Sequence, residues 1–164
     1  MDENSDSLLY QDGGGYLRDL ALEAMRRDSL LFMPTISTKR IFLASLVHEN
    51  VVLDRDLPSK KLILLLVSSL NAMGLEAESL RNFTDASVVE FSETLRRFEG
   101  EETPHWKETE WNEVFTLNEV VVVHVENMTA LLKCSFFLPC DFKMVIIDDS
   151  HLATTSNTMK EVCN

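Results

Sequence analysis

The sequence predicts an α+β fold in which N-terminal helices pack on a C-terminal antiparallel sheet of three or four strands. Three observations predict it. Residues 113–149, EVFTLNEVVVVHVENMTALLKCSFFLPCDFKMVIIDD, are the most apolar and β-branched part of the chain, and such residues suit a pleated, half-buried surface. The breaks between apolar runs in this stretch are too short for parallel crossovers, so consecutive strands should be antiparallel neighbours. Upstream, apolar residues recur at helical spacing, so four or five helices should come first and cover one face of the sheet.

Each strand has its own signal. Val120–Val125 is β-branched except at His124. Glu126-Asn127-Met128 is short and polar enough for a hairpin loop. From Thr129 to Leu138 the chain alternates, and a period of two puts Ala130, Leu132, Cys134, Phe136 and Leu138 on one apolar face. Pro139-Cys140-Asp141 breaks the run, because proline cannot donate to a ladder. Phe142–Ile147 is the next strand, closed by Asp148-Asp149-Ser150. Val114–Leu117 reads as a further strand or as the front of the first.

The helices follow in order. Tyr16–Arg27 carries the stripe Leu17, Leu20, Ala21, Ala24 and Met25, with two arginines in its last turn. Ser37–Glu49 is the second, with Ser37 or Thr38 as cap and Ile36 and Ile41 spaced for a hydrophobic staple. Val51–Leu53 reads as a short strand or an extended connection. Leu57–Met73 is leucine-rich, opened by Pro58 and closed by Gly74, which favours a central helix; Leu62–Val67 alone would also suit a buried strand. Leu75–Phe83 adds a short helix. Thr84–Glu99 carries Val88, Phe91, Leu95 and Phe98 on one face, and Gly100 stands where a C-terminal glycine would.

Composition sets the class. At 164 residues and 45% hydrophobic content, the chain suits one globular domain, expected over 16–150. Residues 1–15 read as an acidic disordered tail and 151–164 as a C-terminal tail. The longest apolar run, Leu62–Val67, is far short of a membrane span. The start, MDENSDS, has neither the basic residues nor the apolar stretch of a secretory signal. Three cysteines without a pairing pattern fit a reducing compartment. These features predict an intracellular protein, cytoplasmic or nuclear. A net charge of −12 argues against direct nucleic-acid binding, which draws on basic patches.

No motif names a chemistry. There is no GxGxxG or Walker loop, and Gly13-Gly14-Gly15 lacks the lysine, so no cofactor is expected. Cys134 and Cys140 match no zinc spacing. Asp148, Asp149 and His151 cluster at a strand end, where a metal-dependent hydrolase would place ligands, but Asp and Ser are also ordinary turn formers there; no metal site is expected. Arg26-Arg27-Asp28-Ser29 matches the pattern of a basophilic kinase site.

The expected function is therefore a non-enzymatic protein–protein interaction module, a subunit or adaptor of an intracellular complex. Its partner would be another protein, basic or presenting a strand or an apolar helix, with a homodimer as an option. Partner binding is assigned to Trp106, Trp111, Glu101 and Glu102 in the acidic segment EETPHWKETEWN, and to Val121 and Val123 on a sheet edge without lysine or proline to block strand addition. The alternatives are a small metal-dependent hydrolase using Asp148, Asp149 and His151, and an acidic inhibitor that mimics nucleic acid.

Overall fold

Leu62–Val67 and Val120–Val123 are apolar from end to end, without the alternation of a strand that is wet on one side. Unbroken runs of this kind suit strands covered on both faces, as in a parallel sheet. The structure, a computed structural model, describes residues 14–54, 61–91, 113–114, 116–125, 127–128 and 141–148. Its elements in chain order are α1 (Gly14–Ala24), α2 (Ile36–Asp54), β1 (Leu62–Val67), α3 (Leu70–Phe83), β2 (Val88–Glu90), β3 (Val120–His124) and β4 (Phe142–Ile147). The strands form one sheet in the order β2-β3-β1-β4, and every pairing is parallel.

The antiparallel arrangement read from the sequence is thus corrected. It followed from treating β3 and β4 as neighbours in a meander. Instead both flank β1: Leu64 pairs with Val121 on one side and with Val145 on the other. The interval 125–141 between them is long enough for a parallel crossover. Residues 129–141, read as a further strand and its break, lie outside the described residues apart from Asp141, which directly precedes β4.

Leu62–Val67 is a strand and not the middle of a helix. All six residues are buried. A segment buried on every side reads the same as strand or helix, and here non-local pairing decided. The register of β1 against β4 skips at its start, where Leu62 faces Phe142 and Ile63 faces Met144. Lys143 is the extra residue of this bulge, a common device on outer strands.

The stretch from Thr84, read as the start of a helix, departs from that reading. Thr84 closes α3: its N–H and its hydroxyl both donate to the Leu80 carbonyl, at 2.9 and 2.7 Å. Val88–Glu90 is β2. Its amino end is tied to β3 by Glu119, whose Oε2 accepts from the Ser87 N–H at 2.9 Å and the Ser87 hydroxyl at 3.3 Å. The Glu119 and Val120 N–H groups return bonds to the Ser87 carbonyl at 2.9 and 3.0 Å. Leu95 and Phe98 lie outside the described residues.

By internal packing the chain divides into two compact units, Met1–Pro58 with Glu78–Ala86, and Ser59–Ala77 with Ser87–Asn164. In the first, α1 packs on α2. Ala21 is fully buried, and Arg18 pairs with Glu49 of α2 through two guanidinium nitrogens. Thr35, rather than Ser37 or Thr38, caps α2, with Oγ1 accepting from the Thr38 N–H at 3.1 Å. The helix begins earlier as a result, leaves Ile36 at its exposed start, and runs through Val51–Leu53 without a break.

The second unit holds the sheet. One face of β1 and β3 contributes Leu62, Leu64, Leu66, Val121 and Val123 to a cluster closed by Phe91 and Met128. The other face, with Ile63, Leu65, Val67, Val120 and Val122, is equally buried. Burying both faces of these two strands stabilises the unit by about 25 cal/mol per Å² of apolar surface removed from water.

Candidate functional site

Because all strands run the same way, their carboxyl ends gather at one edge of the sheet. β1 ends at Val67 and is followed by Ser68 and Ser69; β3 ends at His124; β4 leads into Asp148; β2 ends at Glu90. The middle of this edge lies between β1 and β3, which pair through Val67 and His124. There His124 Nε2 lies 3.1 Å from the Ser68 carbonyl. A carbonyl only accepts, so the proton of a neutral ring sits on Nε2 and Nδ1 is left as an acceptor. Beside it, Ser69 caps α3, its Oγ accepting from the Ala72 N–H at 3.1 Å. A helix start carries partial positive charge and suits an anionic group. Asp148 extends the ladder beyond β4, with its N–H donating to the Leu66 carbonyl at 2.8 Å, and is buried.

The sequence-predicted positions are distributed as follows. Val121 and Val123 are buried in β3, and both edges of β3 are occupied, by β2 and by β1. β3 is interior to the described sheet, so these two residues do not stand on an open edge. Trp106, Trp111, Glu101 and Glu102 lie outside the described residues, as do Asp149 and His151. Among the described residues, no three His, Cys, Asp or Glu side chains come together as metal ligands. No helix among them is long and apolar enough to cross a membrane.

A second surface, in the first unit, was not assigned from the sequence. Between α1 and α2 the chain from Asp28 to Met33 has no regular structure, and it presents large apolar groups to solvent. Leu30 is 83% exposed and Phe32 92%, and Ile36 at the start of α2 is 66% exposed. Single exposed apolar residues are ordinary, but several in succession mark an interaction surface. The signal available in the sequence was the apolar run Leu30–Met33 ahead of Pro34, which has neither helical nor strand periodicity.

No protein-family model matches the chain.

Proposed function

We propose that this chain is a non-enzymatic protein–protein interaction module that docks through the segment Leu30–Phe32 and Ile36. The observation that carries this reading is the near-complete exposure of Phe32 and Leu30 on a segment without regular structure. An extended apolar segment can lie in a groove of another protein or add to the edge of its sheet. Burial of each large side chain contributes about 1.5–3 kcal/mol, enough for two or three anchors to dominate a binding energy. The net charge of −12 favours a partner with a basic rim, through faster association. Three cysteines without a pairing pattern motivate a search among intracellular proteins, cytoplasmic or nuclear. Leu30→Ser with Phe32→Ser should remove specific partners from affinity-purified complexes, by at least about tenfold in quantitative mass spectrometry, given the burial energies above. The melting temperature should stay unchanged. An unaltered set of partners would refute the docking role.

A second reading is favoured by the His124–Ser68 geometry. In open parallel sheets, ligands bind at the carboxyl edge, between neighbouring strands whose onward connections go to opposite faces. Parallel crossovers are right-handed. β1 to β2 and β3 to β4 run in opposite directions along the sheet, and right-handed crossovers in that order would set the crevice between β1 and β3. A small polar ligand with an anionic group would meet His124 and the start of α3 there. The alternative of a metal-dependent hydrolase using Asp148, Asp149 and His151 has only Asp148 at this edge among the described residues. A thermal-shift panel of nucleotides, inorganic phosphate and small carboxylates should contain a stabilising ligand whose effect is lost in His124→Ala. A panel without any shift, or a shift that survives the substitution, counts against the site.

A further inference from the structure

We propose that Ser29 is a phosphorylation site for a basophilic serine/threonine kinase. The sequence around it is Arg26-Arg27-Asp28-Ser29-Leu30. Two guanidiniums stand three and two residues before the hydroxyl, and a large apolar residue follows it. A kinase cleft with carboxylates can bind the two arginines by paired, charge-assisted hydrogen bonds, while an apolar pocket takes the leucine.

The tertiary structure makes this short pattern usable. α1 ends at Ala24, so the whole pentapeptide lies beyond the helix in which its first two residues were expected. Regular structure is absent from Asp28 through Met33, and all five residues from Arg26 to Leu30 are exposed. The segment can therefore straighten in a cleft without unfolding an element. The contacts that must be exchanged are weak. Arg26 and Arg27 pair with Glu23 at 3.7 and 3.1 Å, among side chains that are largely in solvent, and exposed pairs of this kind are readily exchanged. The Ser29 hydroxyl donates one bond, to the Arg27 carbonyl at 3.1 Å, also at the surface.

The chemistry is a phosphoryl transfer from ATP with magnesium, both brought by the kinase reaction. Ser29 Oγ attacks the γ-phosphorus, and a new O–P bond forms. The bond from that phosphorus to the oxygen bridging to the β-phosphate breaks, and ADP leaves. The hydroxyl proton passes to a carboxylate base of the kinase. The product carries a dianionic group beside two arginines already shared with Glu23, and it would compete with that carboxylate for them.

Phosphorylation of the isolated chain needs no docking partner. The full chain is incubated with ATP, magnesium and the catalytic subunit of a cyclic-AMP-dependent kinase, and modified positions are mapped by mass spectrometry. Phosphate is expected on Ser29, none at that position in Ser29→Ala, and a rate at least about tenfold lower in R26Q/R27Q, the loss of paired charge-assisted contacts. Circular dichroism should be unchanged in both variants, since all three positions lie outside α1. An acidophilic kinase tested in parallel should leave Ser29 unmodified. Phosphate only on other residues, an equal rate in R26Q/R27Q, or equal modification by the acidophilic kinase would each overturn the proposal.

Discussion

Phe91→Ala should lower the unfolding free energy of the sheet unit by about 3–5 kcal/mol, the range for truncating a fully buried phenylalanine. Phe91 follows β2 directly, and its N–H donates to the Val122 carbonyl of β3 at 3.0 Å. The side chain is 1% exposed and packs among Leu62, Leu64, Leu66, Val121, Val123 and Met128. Removing the ring leaves a cavity against the face that β1 and β3 share, and both the lost transfer energy and the lost dispersion contacts weaken the cluster. Native-state hydrogen exchange at the β1 and β3 amides is the suitable readout, because it reports on this unit even if the other unit unfolds separately. Phe91→Leu should recover most of the loss. Protection of these amides that does not change in Phe91→Ala would place Phe91 outside the core.

Val122→Asp should have a larger effect and leave no folded sheet at pH 7. Val122 is fully buried and sits between Leu65 of β1 and Glu90 of β2 in the ladder. Among the described residues, Leu65, Val67 and Val120 on that face are apolar and offer a carboxylate no cation, and an uncompensated buried charge costs several kcal/mol. The total stability of a domain is only about 5–15 kcal/mol. Burial raises the pKa of the introduced carboxyl in the folded state, so the folded state holds the proton more tightly than the unfolded one. Stability therefore falls as pH rises above the ordinary carboxyl range near ~4, and the penalty shrinks as pH drops toward it. Val145→Asp is the control. Val145 is 51% exposed on β4, so the same charge stays in water and should cost about 1 kcal/mol, the scale of strand propensity. Soluble, cooperatively unfolding Val122→Asp protein at pH 7 would contradict the interior position of β3.

Apolar patterning and local chain chemistry were enough to locate most elements. Phe142–Ile147 is a strand with the bounds read from its residues, and Val120–Val125 is one to within a residue. Helical spacing marked both N-terminal helices, although their ends shifted, because the caps depend on individual hydroxyls such as that of Thr35. The sequence also showed that Leu62–Val67 belongs in the centre of a core. Whether that centre is a helix or a strand was not legible, since a segment buried all round has no polar side to reveal its period. For the same reason Val88 and Phe91, which fit a helical stripe, belong to and follow a strand. The direction and neighbours of the strands came only from the tertiary structure. Val121 and Val123 look like a bare edge when read alone, yet β1, more than fifty residues upstream, and β2 take both sides of their strand. Such pairings join residues far apart in the chain, and backbone hydrogen bonds carry no residue code for the partner. The exposure of Leu30 and Phe32 was hidden for the complementary reason: an apolar run states a preference for burial, and only the packed fold decides whether this chain supplies the cover.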